Sequence, residues 1–279
     1  MKQIALELLF QILGIGAASG LVYDDNQLHI ISDNSTYFYH YSLQNNHLYK
    51  TSLSSDNLSQ ENIEKAIKPD YEAITTDGLN YYIFGSGSKP NRINLVEVNG
   101  LTHEVLSENE LDILYDSMKS FANLSDADFN IEGVIFDNDL WYFFNRGNGP
   151  KGANGVFVVK GNNILNDFQI TYTPMKLPKL NKVQTSFTDA IKVEDKIYFL
   201  AAAEDGQSTY ADGEIKGTIL GRIDTKKLKV EKTLTISNTH KFEGLTLYSQ
   251  EGKNLEFLLC EDPDNDKNES GIYKLSIKN

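Results

Sequence analysis

Five oxygen-bearing side chains recur at regular intervals along the chain and are candidates for one shared metal site. Most copies read as an apolar residue, the oxygen-bearing residue, a small residue and a second apolar residue. The recurring residues are Ser19, Glu72, Glu132, Thr188 and Glu243, at intervals of 53, 60, 56 and 55 residues. Hard oxygen ligands without histidine or cysteine favour calcium or magnesium, and calcium accepts about 6–8 oxygens at flexible geometry.

Three glutamates that converge in a narrow space repel one another. They are stable together only if they are protonated or if a cation neutralises them. We therefore predict that the five residues form a calcium site, with waters completing the ligand shell. The alternative is that these side chains cap strands or bond neighbouring backbone amides. A further alternative is a purely structural metal that pins the five units together.

Each of the five copies is followed by a predicted β-hairpin, and this hairpin must hold the oxygen-bearing side chain in place. A short polar turn comes first, as in Asp24-Asp25-Asn26 and Asp137-Asn138-Asp139, and an aromatic or branched strand comes next, as at residues 140–144. Further strands follow in each unit, which gives four short strands in about 55 residues. This pattern predicts an all-β protein, a five-bladed β-propeller. The first strand of each blade lines the axis, so the five recurring side chains should face one another.

The two ends of the chain should meet in the last blade. That unit runs out of chain after Ile277, and residues 5–12 alternate like a strand that closes the ring. Residues 1–18 also resemble a leader peptide, which is the alternative interpretation. One helical insertion is expected near residues 107–123, because Ser107 to Glu110 has capping-box spacing and apolar residues follow at helical spacing. It should pack on the propeller flank or form a lid over the mouth.

Composition narrows the range of partners. The 279 residues carry a net charge of −13, which makes nucleic acid a poor partner, and no run is apolar enough to span a membrane. No linker is apparent, so residues 1–279 are expected to form one domain, a monomer in the cytoplasm, or in the periplasm or outside the cell if a leader is removed. The single cysteine, Cys260, excludes a cysteine-based zinc site. The histidines form no H-E-x-x-H motif; they are His29, His40, His47, His103 and His240.

The order Ser, Glu, Glu, hydroxyl, Glu across five blades resembles that of the calcium-activated nucleotidases, which are apyrase-type five-bladed propellers. The resemblance covers the positions of the five recurring residues, which we call the hub residues because they should meet at the propeller axis, and the strands after them. It implies one calcium in the hub on these side chains and hydrolysis of nucleoside di- and triphosphates. Phytase-like and lactonase-like propellers share an acidic hub, and residues 68–72 and 84–88 resemble uncharacterised bacterial propellers.

A polar mouth is expected above the hub, where the second strands end about fourteen residues after each hub residue. Asp33 is the candidate general base, and Arg146 is the candidate for stabilising charge on a phosphoryl group. The resemblance places an acidic residue and an arginine at comparable points, although the flanking residues differ. The candidate substrate-binding residues are Ser86, Ser88, Arg92, Asn145, Lys151 and Asp262. The predicted function is calcium-dependent hydrolysis of a small anionic phosphate ester or anhydride. The alternative is a non-catalytic ligand- or protein-binding propeller with a structural calcium.

Overall fold

The computed structural model describes residues 3–54, 60–205, 213–263 and 267–278, which fold into five antiparallel sheets around one axis. This confirms the predicted five-bladed β-propeller. Blade 1 comprises β2 (Ala18–Asp24), β3 (Gln27–Ser32), β4 (Tyr37–Ser42) and β5 (His47–Ser52). Blade 2 comprises β6 (Tyr71–Thr76), β7 (Asn80–Gly85), β8 (Asn94–Asn99) and β9 (Val105–Glu110). Blade 3 comprises β10 (Ile131–Asp137), β11 (Leu140–Asn145), β12 (Gly155–Asn163) and β13 (Asp167–Pro174).

The last two blades depart from the simple four-strand unit. Blade 4 comprises β14 (Lys179–Leu180), β15 (Val183–Val193), β16 (Lys196–Asp205), β17 (Glu214–Asp224) and β18 (Lys229–Ser237), so a two-residue strand is added beside its inner strand. Blade 5 comprises β19 (Phe242–Glu251), β20 (Asn254–Glu261), β21 (Glu269–Lys278) and β1 (Gln3–Leu13).

The N-terminal strand closes the ring, as the sequence predicts. Strand β1 pairs antiparallel with β21 over almost its whole length, from Gln3 opposite Lys278 to Leu13 opposite Glu269. The two ends of the chain therefore share one sheet. The closure covers the edge of β21 that would otherwise expose unpaired backbone groups.

The apolar core lies between the blades. Five clusters of buried side chains fill the five contacts between neighbouring blades, with Phe84 and Phe143 between blades 2 and 3, and Phe144 and Phe199 between blades 3 and 4. This arrangement follows from alternation along the strands, which points side chains to both faces of every blade. Packing between sheets thus fixes the distances across the axis.

The insertion is shorter than predicted. Residues 105–110 alternate between half-buried and exposed and form β9, so Ser107 and Glu110 lie in a strand and do not cap a helix. Helix α1 (Asp112–Ala122) starts after Leu111 without a side-chain cap. It buries Leu114, Tyr115 and Met118 between blades 2 and 3, in agreement with the flank interpretation.

Two short 3-10 helices, Pro90–Arg92 and Asp126–Asp128, lie in loops of blade 2 and before blade 3. Within the described ranges, no helix is long and apolar enough to cross a membrane.

Candidate functional site

Each of the five recurring residues is the extra residue of a β-bulge. The pairing between first and second strands shifts register at Ser19, Glu72, Glu132, Thr188 and Glu243, one in every blade. A bulge leaves its extra residue outside the ladder and re-aims the side chain. All five are buried. The structure therefore places the predicted hub residues at one equivalent position of the inner strands.

The two hub hydroxyls bond the backbone of the next blade. Ser19 Oγ donates to the carbonyl oxygen of Tyr71 over 2.5 Å, and Thr188 Oγ1 donates to that of Phe242 over 2.7 Å. These bonds join blade 1 to blade 2 and blade 4 to blade 5. The alternative to a metal site was that the recurring side chains bond neighbouring backbone groups. Ser19 and Thr188 do bond the backbone, at carbonyl groups. A lone pair on each hydroxyl oxygen is still able to face a cation.

Two of the three hub glutamates face cations of the protein itself. Arg146 donates to Glu132 over 3.1 Å and to Glu204 over 2.7 Å, and its guanidinium lies 4.0 Å from Glu243. The Lys241 ammonium lies 2.9 Å from Glu243. Burial raises the pKa of both Glu132 and Glu243 to about 7, despite the opposing charges of Arg146 and Lys241.

The third hub glutamate lies in a cluster of three carboxylates on the side of blades 1 and 2. One carboxylate oxygen from each of Asp33, Asp70 and Glu72 lies within 4.8 Å of the others. Lys68 contacts Asp33 and lies 2.8 Å from Asp70, so its ammonium bridges the two aspartates. The Arg92 guanidinium donates to Asp70 over 2.7 Å. We call Asp33, Asp70 and Glu72 the acidic cluster.

The members of the acidic cluster differ in their electrostatics. Burial, and then the charges of Glu132, Asp70 and Asp33, raise the pKa of Glu72 well above its usual range. Burial also raises the pKa of Asp33. Burial opposes ionisation of Asp70 as well, but Lys68 and Arg92 outweigh it and hold the pKa of that carboxyl below its ordinary value. Glu72 is thus the least well neutralised of the three.

The mouth is formally acidic. Its ion pairs and charge contacts join four cationic side chains, Lys68, Arg92, Arg146 and Lys241, to carboxylates around the axis. These carboxylates are Asp33, Asp70, Glu72, Glu132, Glu204, Glu243 and Asp262. With all of these groups ionised, the carboxylates of this set of described residues exceed its cations by three. Such an excess attracts a further cation into the mouth.

Several of the predicted substrate-binding residues gather around Asp70. Ser86 Oγ donates to Asp70 over 2.5 Å, Ser88 Oγ lies 2.9 Å from Ser86 Oγ, and Arg92 completes the group. Asp262 directly follows β20 of blade 5 and lies 3.6 Å from the Lys241 ammonium. The structure thus brings these residues to the same face as Asp33 and Arg146, the predicted catalytic pair.

Two predicted substrate-binding residues have other contacts. The side-chain amide of Asn145 is buried and bonds backbone groups at Asp128, Asn130 and Ala153, which braces the loops around it. Lys151 has a side chain that is 51% exposed, and its ammonium donates to the backbone of Asn123 at the end of α1. Substrate binding by these two stays a prediction.

Several residues near the hub and mouth were not predicted from the sequence, although some of them follow a repeated pattern. Three of them lie two positions before a hub glutamate: Asp70 before Glu72, Asn130 before Glu132 and Lys241 before Glu243. Asn130 donates to Glu132 over 2.6 Å. A polar residue repeated at this offset was the available signal. Lys68 and the buried Asp189, which accepts hydrogen bonds from the backbone N–H groups of Ala190 and Leu245, follow no such repeat.

Unpartnered polar atoms concentrate at the mouth. Among the described residues, five buried side-chain atoms have no hydrogen-bond partner in the protein: Asp33 Oδ1, Arg92 Nε, Asn130 Oδ1, Arg146 Nε and Asn148 Oδ1. All five belong to loops or strand ends on the mouth face. Buried polar groups are normally bonded, so a concentration of exceptions points to a place where ligand, ion or water is bound.

Comparison with known proteins assigns the chain to a family. The family model described as "Family of unknown function (DUF6929)" matches residues 14–277. The chain belongs to the DUF6929 family. No curated protein matches this family member in sequence.

Three solved structures of similar shape are distant from this chain in sequence. Glutaminyl cyclase from Myxococcus xanthus is 10% identical with a TM-score of 0.55, and the match covers 98% of this chain and 97% of the cyclase. A thermostable family-43 glycoside hydrolase is 12% identical with a TM-score of 0.56, covering 94% of this chain and 88% of the hydrolase. A luciferin-regenerating enzyme is 9% identical with a TM-score of 0.51, covering 98% of this chain and 95% of that enzyme. At these identities the likeness shows the propeller fold alone.

Proposed function

We propose that this DUF6929 protein is a calcium-dependent hydrolase whose mouth acts on a small anionic substrate, a phosphate ester or anhydride. The observation that carries the proposal is the acidic cluster, in which oxygens of Asp33, Asp70 and Glu72 lie within 4.8 Å of one another. Carboxylates at this separation suit one hard cation. The raised pKa of Glu72 supports the same conclusion, because a bound cation would favour its ionised form.

The donor set also suggests how the rest of the hub takes part. Calcium, when bound, would neutralise the cluster and polarise a phosphoryl oxygen. Glu132 and Glu243 contact cations of the protein itself, and Ser19 and Thr188 bond the inner strand of the next blade. Lys68 already bridges Asp33 and Asp70, so binding at the cluster requires its ammonium to shift.

The chain's own residues supply the remaining chemistry. Arg146 holds its guanidinium between Glu132, Glu204 and Glu243 and still has an unpartnered Nε, which makes it the candidate donor to a substrate oxygen. Asp33 has an oxygen free to accept a proton from an attacking water. Substrate class rests on the resemblance to the calcium-activated nucleotidases. The acidic surroundings of both arginines explain why an anionic substrate would need the cation.

A substrate screen tests this proposal. Purified protein is assayed with nucleotides, phytate, simple phosphoesters and sugar lactones, with saturating calcium and with chelator. We expect turnover of at least one phosphate substrate that chelator abolishes and Arg146→Ala lowers. Turnover of none of these substrates in saturating calcium would contradict the enzymatic proposal.

A specific observation favours a second candidate, a non-catalytic ligand-binding propeller with a structural calcium. Ser19, Thr188 and Asp189 all bond backbone groups of the neighbouring blade, so much of the hub chemistry serves to join blades. Calcium would then raise the melting temperature without supporting turnover. The same screen, combined with thermal unfolding, separates the two candidates.

A further inference from the structure

Three histidines from two blades meet on the side of the disc opposite the mouth. His29 in β3 and His40 in β4 are direct cross-strand partners, so both side chains project from the same face of blade 1. His103 belongs to the turn between β8 and β9 of blade 2. One ring nitrogen of each histidine lies within 4.8 Å of the others.

We infer that His29, His40 and His103 form a binding site for a divalent transition-metal ion of the zinc or nickel type, which links blade 1 to blade 2. Imidazole nitrogen is the ligand that such ions prefer, in contrast to the oxygens of the mouth. Three protein nitrogens leave a further coordination position for water on the side of His103, which is only partly buried.

The hydrogen bonds of the cluster fit this assignment. The Nδ1 atoms of His29 and His40 lie 2.9 Å apart, so one of them donates and the other holds a lone pair toward the same point. His40 Nε2 lies 3.0 Å from Thr51 Oγ1. A hydroxyl that accepts from the second ring nitrogen fixes the tautomer and orientation of a metal-binding histidine. Binding requires that the proton shared between the Nδ1 atoms moves to an Nε2 atom or to solvent.

The environment keeps the rings neutral and close. Burial lowers the pKa of His29 to about 4 and that of His40 to about 2, so both keep a lone pair at neutral pH. The His40 and His103 rings stack with centroids 3.9 Å apart. Because stacked rings direct their nitrogens in parallel, His103 must turn about its side-chain bonds to aim at the shared point. Its position in a partly exposed turn allows this.

The test uses zinc itself as the probe and a variant chosen to preserve the fold. The His103 backbone is left-handed, with φ at 58°, a conformation that asparagine tolerates well. We expect the chelator-treated wild type in saturating calcium to bind one zinc ion at this site by calorimetry. His103→Asn should weaken that event at least about tenfold, since removing even an outer-shell partner of a ligand commonly costs 10–100-fold. His47→Asn, which alters an exposed histidine of β5, is the matched control and should leave zinc binding unchanged.

Cobalt provides a readout that does not depend on the variant's folding. Cobalt bound to three imidazoles with few waters should give the wild type an intense visible absorption. Adding zinc should displace the cobalt and remove this absorption. Zinc binding that is equal in wild type and His103→Asn would overturn the assignment. A wild type that binds neither zinc nor cobalt would overturn it as well. Neither result bears on calcium at the mouth, because the two sites share no residue.

Discussion

Arg146 donates a hydrogen bond to Glu132 over 3.1 Å, although the sequence predicts an anion-binding role for the arginine and a metal-binding role for the glutamate. Both groups are buried, and the same guanidinium also reaches Glu204 and Glu243. The hub is therefore a network of alternating charges in which Arg146 neutralises one half. The acidic cluster forms the other half, and among the described residues no arginine contacts Glu72.

Removing the Arg146 guanidinium should destabilise the fold. Arg146→Met leaves three carboxylates without their shared partner, and loss of one member of a buried ion pair costs about 3–5 kcal/mol. Urea unfolding followed by tryptophan fluorescence of Trp141 measures the change in unfolding free energy. Arg146→Lys keeps the charge but not the forked geometry, and should fall between wild type and Arg146→Met. Unchanged stability in Arg146→Met would show that the network contributes nothing.

Deleting residues 1–13 should produce an aggregating protein. The deletion removes β1 and leaves the backbone groups of β21 as an open sheet edge, with Leu275 and Ile277 losing their cover. Size-exclusion chromatography and light scattering measure the effect. Glu7→Gln, which removes only the surface partner of Lys274, is the control and should remain soluble. A truncated protein that stays monomeric and unfolds cooperatively would contradict closure by β1.

The fold and the hub positions were predictable because a propeller repeats its structural unit. A pattern that recurs five times is recognisable even where the sequence pattern of a single unit is weak. The five hub residues show up in sequence because every inner strand carries the same bulge. Helix α1 was placed too early, because Ser107 to Glu110 satisfies capping spacing while its alternating burial belongs to a strand. Pairing with the sheet outweighed the local signal.

Other features depend on contacts between blades that sequence spacing does not encode. Lys68 reaches Asp33 from a loop that precedes the next blade, and His103 reaches His29 and His40 across a blade boundary. Asp70 was within reach of prediction through its offset from Glu72. Its left-handed backbone, with φ at 57°, is invisible in the sequence.

Asp33→Asn should separate binding from turnover if the mouth is catalytic. The amide has similar size and can still bond Lys68 through its oxygen, but it cannot take a proton from water. We expect kcat to fall about 10²–10⁴-fold with a smaller change in KM, since loss of a general base commonly has this effect. Steady-state kinetics on a substrate found in the screen, at calcium concentrations that saturate both the wild type and the variant, provides the measurement. An unchanged kcat would remove Asp33 from the chemistry.

Calcium affinity should increase with pH. Burial and the neighbouring carboxylates raise the pKa of Glu72 well above its usual range, so a proton competes with calcium for this group. The proton is favoured below the raised pKa, and binding must then release it. Calorimetry between about pH 6 and pH 8, in buffers of different ionisation enthalpy, counts the protons released. Binding without proton release and without pH dependence would show that Glu72 is already ionised or not a ligand.

Calorimetric titration of calcium into wild type and Glu72→Gln tests the central claim most directly. We expect the wild type to bind one calcium ion at the acidic cluster, and Glu72→Gln to bind it at least about tenfold more weakly, because the variant loses one of three negative charges around the ion. Glu251→Gln, which neutralises an exposed carboxylate at the far end of β19, should match the wild type. The account is contradicted if the wild type shows no calcium binding and its melting temperature is the same with calcium and with chelator.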